Sequence, residues 1–315
     1  MRIVALVPGG IGDQILFFPT LDTLKRSYPD AEIDVVVEQR AKPAYRLSRS
    51  VSDVLTFDYK ERNSPADWAN LLGVIRDRYY TVALYTGQAW GIELLLWLTG
   101  IPTRIGYANS GGKSFLTVPV PYKTSQYQAE TYHDLLQGLN LTLPTPALSI
   151  SIPKSDLDWA EGEQKRLTVK GSGYVLIHDT AASPEAAYPS DRWQTIIQSF
   201  RQQQPDLPLV VAQTSADALW VATLVQAFPD LKVTKTADLG KLAAMIAGAN
   251  LLLCTEGVSM QIAVALQVYT LALFGGSAAP TQVLPQSDKF AAIAATTGKL
   301  ADIPPEQVLA KIWGG

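Results

Sequence analysis

Cysteine and histidine are nearly absent from this chain of 315 residues, which has one Cys and two His. The lone Cys254 has no partner for an internal disulfide. Cys254, His133 and His178 fall short of the roughly four ligands of a structural zinc site. A disulfide scaffold and a zinc enzyme are therefore excluded, and no metal is expected. Charge is scarce too, at 17% of residues, with 26 Lys+Arg against 29 Asp+Glu. A formal net charge of −3 offers a polyanion no global attraction, which argues against a nucleic-acid-coating protein. Long apolar runs are also missing: the nearest, around Ile92 to Leu98, is far short of the ~20 residues that span a bilayer. The start, MRIVALVPGGIGDQ, has one basic residue and a short apolar run broken by Pro8, Gly9 and Gly10, unlike a signal peptide. The expectation is a soluble cytoplasmic protein.

What the chain does have is apolar bulk, 47% of residues, enough for two cores at the usual ~100–200 residues per domain. Short β-rich runs alternate with helical patterns almost from end to end. Strands are predicted at Ile3–Val7, Ile33–Val37, Val54–Phe57, Val82–Tyr85, Tyr174–Ile177, Leu209–Ala212, Leu251–Cys254 and Thr270–Phe274. Helical spacing is found at Ile15–Ser27, Trp68–Arg78, Trp193–Gln203, Asp217–Phe228, Leu239–Ala247 and Pro304–Trp313. Continuous apolar strands alternating with amphipathic helices imply parallel sheets covered on both faces, a doubly wound α/β architecture. The alternation pauses over LNLTLPTPALSISIPK, Leu139 to Lys154. That pause divides the chain into domains 1–153 and 154–315, two units expected to face one another across a cleft.

The first strand runs into Pro8-Gly9-Gly10-Ile11-Gly12-Asp13, with a helix expected from about Asp13 or Gln14. Glycines let the backbone turn sharply and approach a ligand, and free N–H groups at the helix start favour an anion. Asp13 fits either of two roles, a group in that crevice or a helix N-cap. A dinucleotide fingerprint fits poorly, because Ile15 stands where a third small residue belongs and Asp34 lies inside the second strand. Glu38, at that strand's end, is the better acid for a ribose, and it keeps a nicotinamide-dependent oxidoreductase open.

Several segments, in order, resemble glycosyltransferase family 9, the heptosyltransferase-like enzymes of lipopolysaccharide biosynthesis. They are Gly12-Asp13 followed by Pro19 and Leu21–Val37; Ile101-Pro102-Thr103-Arg104-Ile105-Gly106-Tyr107; Tyr188-Pro189 with Trp193; Asp238–Asn250; and Cys254–Ala265 with Leu273-Phe274-Gly275. The resemblance covers nearly the whole chain. It implies a GT-B fold and an inverting transfer of a sugar from a nucleotide-sugar donor to a glycan or lipid-linked acceptor, with no cofactor. Under that resemblance Asp13 is the general base, a carboxylate able to take the acceptor hydroxyl's proton. The C-terminal domain holds the donor, through Gly12 from the first domain and His178, Thr180, Ser183, Glu256, Gly257, Val258, Ser259 and Gln261. The amide-rich start of the helix after Glu256 is suited to a diphosphate.

The family's donor signature contains an acid, then Gly, and then a His ahead of an apolar helix. Aligned without a gap on Ile262–Leu266, Glu256 takes the acid position and Gln261 the His position; aligned on Gly257, these become Thr255 and Met260. Neither register retains the His, and the family's phosphate-binding Lys falls at Ala186, with Arg192 as a substitute cation. Loss of one buried charge-assisted contact costs ~1.5–3 kcal/mol. The departures motivate an alternative, a catalytically diverged GT-B-like binding or scaffold protein. Of the rest, His133 reads as a structural His and Cys254 as inert core, while Trp68, Trp90 and Trp97 fit either core or an acceptor cleft. A local basic group, Arg40, Lys42, Arg46, Lys60 and Arg62, suits a phosphorylated or lipid-linked acceptor at the inner face of a membrane.

Overall fold

Strands buried on both faces need helices on both sides, and the computed structural model supplies them twice. It describes residues 1–60, 63–171, 173–179, 187–214, 217–276 and 279–314. Thr180, Ser183, Ala186 and Arg62 lie outside the described residues. The chain divides into two units, Met1–Ser151 and Ile152–Gly315.

The first unit has strands β1 (Arg2–Val7), β2 (Glu32–Val37), β3 (Asp53–Thr56), β4 (Val82–Tyr85), β5 (Thr103–Tyr107) and β6 (Val118–Val120). Its helices are α1 (Ile11–Ser27), α2 (Pro65–Asp77), α3 (Trp90–Thr99) and α4 (Gln128–Asp134). The strands form one sheet in the order β3-β2-β1-β4-β5-β6, every pairing parallel. One face is packed by Val4, Leu6, Val36, Ala83 and Tyr85 against Leu71 and Ile75 of α2 and Leu95 and Leu96 of α3.

The second unit opens with α5 (Lys154–Arg166) and has strands β7 (Val175–His178), β8 (Leu209–Gln213), β9 (Lys232–Lys235), β10 (Leu251–Thr255), β11 (Tyr269–Phe274) and β12 (Phe290–Ala294). Between and after them run α6 (Ser190–Gln203), α7 (Ala218–Ala227), α8 (Leu239–Ala247), α9 (Val258–Ala265), α10 (Pro280–Val283) and α11 (Pro305–Trp313). The order is β12-β11-β10-β7-β8-β9, again parallel throughout. Trp193, Ile196, Ile197 and Phe200 of α6 pack on Val175, Ile177 and Val211 of the sheet, and Val308 of α11 closes the same cluster.

In each sheet the order reverses beside the unit's first strand, between β1 and β4 and between β7 and β10. Loops leaving the C-terminal ends on either side of such a reversal diverge and open a crevice, which is where doubly wound folds bind ligands. These crevices are formed by the loops after β1 and β4 in one unit and after β7 and β10 in the other.

Three details differ from the sequence reading. Helix α1 begins at Ile11, ahead of Asp13, so Gly12 lies in its first turn. Four strands, β5, β6, β9 and β12, were not expected from the sequence. His178 is the last residue of β7 and so belongs to the sheet.

Candidate functional site

In the first unit the crevice is built around Asp13. Gly10 is the N-cap of α1 and Asp13 its third helical residue. The Gly10 N–H donates to Asp13 Oδ2 at 2.8 Å, the side-chain half of a capping box. Asp13 therefore caps the helix from within its first turn, and the expectation of an N-cap residue is corrected to that extent. Its other oxygen, Oδ1, receives the Tyr132 hydroxyl of α4 at 3.4 Å. Burial raises the Asp13 pKa, and the opposing pull of the Gly10 N–H, the Tyr132 hydroxyl and the Lys60 charge does not cancel it. Asp13 as a residue is half-buried.

The loop that presents Asp13 is held from below. Gly9 adopts φ +115°, and a Cβ there would meet Asp13 Oδ2 at 2.3 Å, so only glycine leaves room for the carboxylate. The Gly9 N–H donates to Glu38 Oε1 at 3.3 Å, and Arg40 Nε donates to Glu38 Oε2 at 2.6 Å. Gln14 is buried beneath the loop, donating to the Val7 carbonyl at 3.0 Å and accepting from Tyr45 at 2.7 Å. Glu38 is thus engaged in shaping the loop. Asp34, the other acid considered for a ribose, is buried against Arg78 and Tyr80 at 2.8 and 2.5 Å. Both acids of the dinucleotide reading serve the fold.

In the second unit the crevice is organised by Asp179, which follows β7. Asp179 is 3% exposed. Its Oδ2 accepts from the Tyr188 N–H at 3.2 Å and the Trp193 indole at 3.1 Å, and its Oδ1 accepts from the Thr255 hydroxyl at 3.0 Å. Because His178 pairs in register with Cys254, Asp179 and Thr255 are neighbours across the reversal. One carboxylate ties the segment after β7 to the last residue of β10.

Around that hub, Glu256, Gly257 and Val258 are half-exposed, with Gly257 the N-cap of α9. Ser259 and Gln261 are buried. Gln261 Nε2 donates to the Val283 carbonyl at 2.8 Å, which ties α9 to α10. Met260, the residue at the His position in the other register, is buried as well. Arg192, the substitute cation, donates to the Ile303 carbonyl. His178 is buried with its Nε2 3.2 Å from Asp217 Oδ2. Burial raises Asp217, but His178 and the hydroxyl and N–H of Thr214 outweigh it and hold the carboxyl below its ordinary value. Beside Asp217 a pocket of about 200 Å³ opens at the ends of β8 and β9, lined by Gln213, Thr214, Ala218, Lys235, Thr236 and Ala237. Lys235 and Thr236 bring a cation and a hydroxyl that the sequence reading missed.

His133 and Cys254 are built into the core. His133 is buried with Nε2 3.0 Å from the Thr23 hydroxyl. Burial pushes the Cys254 thiol well above its ordinary value, which keeps it protonated and inert. Among the described residues no group of three His, Cys, Asp or Glu is placed to hold a metal ion. Nor is any described helix long and apolar enough to cross a membrane.

The model of glycosyltransferase family 9 (heptosyltransferase) matches residues 68–312. Two relatives and one solved structure are similar to the chain over most of its length. The photosynthetic NDH subunit of subcomplex B 1, from Arabidopsis thaliana chloroplasts, is 23% identical over 96% of this chain and 71% of its own. Lipopolysaccharide heptosyltransferase 3 of Escherichia coli is 22% identical over 84% of this chain and 81% of its own. The structure of E. coli ADP-heptose lipopolysaccharide heptosyltransferase II superimposes with a TM-score of 0.78 at 19% identity, covering 99% of this chain and 97% of that one. The two parallel six-stranded sheets are those of the GT-B fold.

Proposed function

The chain belongs to glycosyltransferase family 9, a family of heptosyltransferase-like glycosyltransferases, and from that premise we propose that it transfers a sugar with inversion from a nucleotide-sugar donor to a hydroxyl of a glycan or lipid-linked acceptor. The observation that carries this reading is the half-buried Asp13 in the first turn of α1, its carboxylate positioned by Gly10 and Tyr132 and made more basic by burial. The acceptor oxygen attacks the anomeric carbon as the bond to the donor diphosphate breaks on the opposite face. Asp13 takes the proton that the oxygen gives up. The second unit supplies the donor side. The N-terminus of α9, with Glu256, Gly257 and Val258 half-exposed, offers amides to the charge that collects on the departing diphosphate. The pocket at Thr214, Lys235 and Thr236 accommodates part of the nucleotide, and Lys235 supplies a cation in a unit whose family Lys position holds Ala186.

The decisive experiment pairs calorimetry with a transfer assay, using ADP-heptose as the first donor probed. Asp13→Asn should keep donor affinity and lose transfer by ~10²–10⁴-fold, the usual worth of a positioned base. Unchanged transfer would remove Asp13 from the chemistry.

A second reading is a GT-B binding or scaffold protein without transfer. It is favoured by Gln261, which occupies the family His position in one register and is spent on the Val283 carbonyl. The likeness to a plant protein named as a subunit of a larger assembly points the same way. Failure to bind any nucleotide or nucleotide sugar would select this reading.

A further inference from the structure

Helix α3 carries an apolar face that no described residue covers. Trp90, Trp97 and Leu98 are 62%, 51% and 49% exposed. Trp90, Leu94 and Leu98 of α3, with Trp68 and Leu72 of α2 opposite, line a groove of about 370 Å³ that has no polar side chain in its wall. Trp97 flanks it, its ring tilted against Phe115 at 6.1 Å. The single acid of α3, Glu93, is buried and accepts from the Ser110 hydroxyl at 2.6 Å, so this face presents no anion of its own helix.

Two cations border the same face. Arg104 donates to the carbonyls of Phe115, at 2.7 Å, and Ile101, and pairs with no carboxylate among the described residues. Lys113 is exposed and likewise pairs with none there. It follows Gly112, where an added Cβ would fall 2.9 Å from the Trp90 Cα, so the lysine is next to the groove. The acid on α2 closest in sequence to Trp68, Asp67, is engaged by Ser64 in the helix cap.

We propose that this α2–α3 face docks on a lipid bilayer containing anionic lipids. Trp90, Trp97 and Leu98 enter the boundary between headgroups and acyl chains, and Arg104 and Lys113 lie over the lipid phosphates. Indole rings beside cations that meet no carboxylate among the described residues match the two layers of that boundary, apolar below and anionic above. The basic residues first associated with a membrane lie elsewhere in sequence, and one of them, Arg40, is paired with Glu38. This inference deepens the acceptor side of the proposed function by naming the surface at which a lipid-linked acceptor is met. It rests on the first unit alone and does not depend on the chemistry of Asp13.

The test is co-sedimentation of the full-length protein with vesicles of phosphatidylcholine alone or mixed equally with phosphatidylglycerol, with ADP affinity measured in parallel. The expected result is binding to the mixed vesicles, a blue shift of tryptophan emission, and quenching of that emission by brominated lipid. Trp97→Ser combined with Leu98→Ser should weaken vesicle binding at least about tenfold, as the loss of two interfacial apolar anchors requires. Lys113→Gln should weaken it about fivefold on the anionic vesicles only. Both variants alter exposed residues, and circular dichroism checks their fold. Should the double variant misfold, the brominated-lipid quenching of the wild type decides by itself. The proposal is overturned if the wild type ignores anionic vesicles, if the folded double variant binds them equally well, or if light scattering shows a dimer that the double variant abolishes. Loss of ADP binding with vesicle binding intact would count against the transfer reading and leave this one standing.

Discussion

Asp13 does two jobs that pull its proton affinity in opposite directions. The Gly10 N–H favours the ionised carboxylate, while burial favours the protonated form and prevails. A carboxyl whose folded pKa is raised binds its proton more tightly folded than unfolded. Stability therefore falls as pH rises from the unfolded value of about 3.9 through the folded value, and stays lower above it. Asp13→Asn keeps an acceptor for the Gly10 N–H and removes the buried charge. Its melting temperature at neutral pH should equal or exceed that of the wild type even as transfer is lost, and a clear drop would show that the carboxylate matters to the fold as well. His133 works in the opposite sense, since burial lowers its pKa. As pH falls below about 6.5 the unfolded chain takes up a proton that the folded chain refuses, so stability drops until the folded His133 also titrates. His133→Gln should flatten the pH dependence of the unfolding midpoint in that window. Sequence pattern located Asp13 and its glycines but not Tyr132, which meets it across 119 positions; no local signal encodes such a contact.

At the scale of elements, a single carboxylate holds the second unit's crevice together. Asp179→Ala would leave the Tyr188 N–H and the Trp193 indole buried without this acceptor and would remove one partner of the Thr255 hydroxyl. Each orphaned donor costs ~1–3 kcal/mol. Shared relaxation reduces the sum, so the expected loss is about 3–5 kcal/mol in denaturant unfolding, with Asp179→Asn milder. Asp179 stood in plain view within a polar loop, yet its role depends on strands that are adjacent only in the folded sheet. The same limit explains the unexpected strands. β6, β9 and β12 are edge strands. β6 contains Pro119 and β9 reads Lys-Val-Thr-Lys, so neither offers the continuous apolar run that marks a strand buried on both faces. β12 is mostly alanine, and β5, though interior, carries Arg104 and Gly106 in five residues. Helix α1 began early for a related reason: Gly10 and Asp13 hold the spacing of a capping box, but with glycine in the place where a hydroxyl or amide usually announces the cap.

At the scale of the whole molecule, the transfer and scaffold readings part on ligand linkage. A ligand at 100 times its Kd stabilises the fold that binds it by ~2.7 kcal/mol. For a unit of this size that is roughly 5–10 °C in melting temperature. Saturating ADP should produce such a shift if the second unit holds a nucleotide, and no shift with any nucleotide would favour the scaffold. The doubly wound architecture was legible from the alternation of runs and helices, because interior strands and amphipathic helices are the elements with the strongest period, whereas the strand order comes from the folded sheets. That order also bears on how the chain is made. In each unit the first strand to leave the ribosome sits at the middle of the sheet, later strands are added first to one flank and then to the other, and none has to wedge between two already joined. All six strands of the first unit have been synthesised by Val120, so its sheet can be complete before the strands of the second exist. Folding in the order of translation then asks nothing of the nascent chain except to grow outward from a centre it already has.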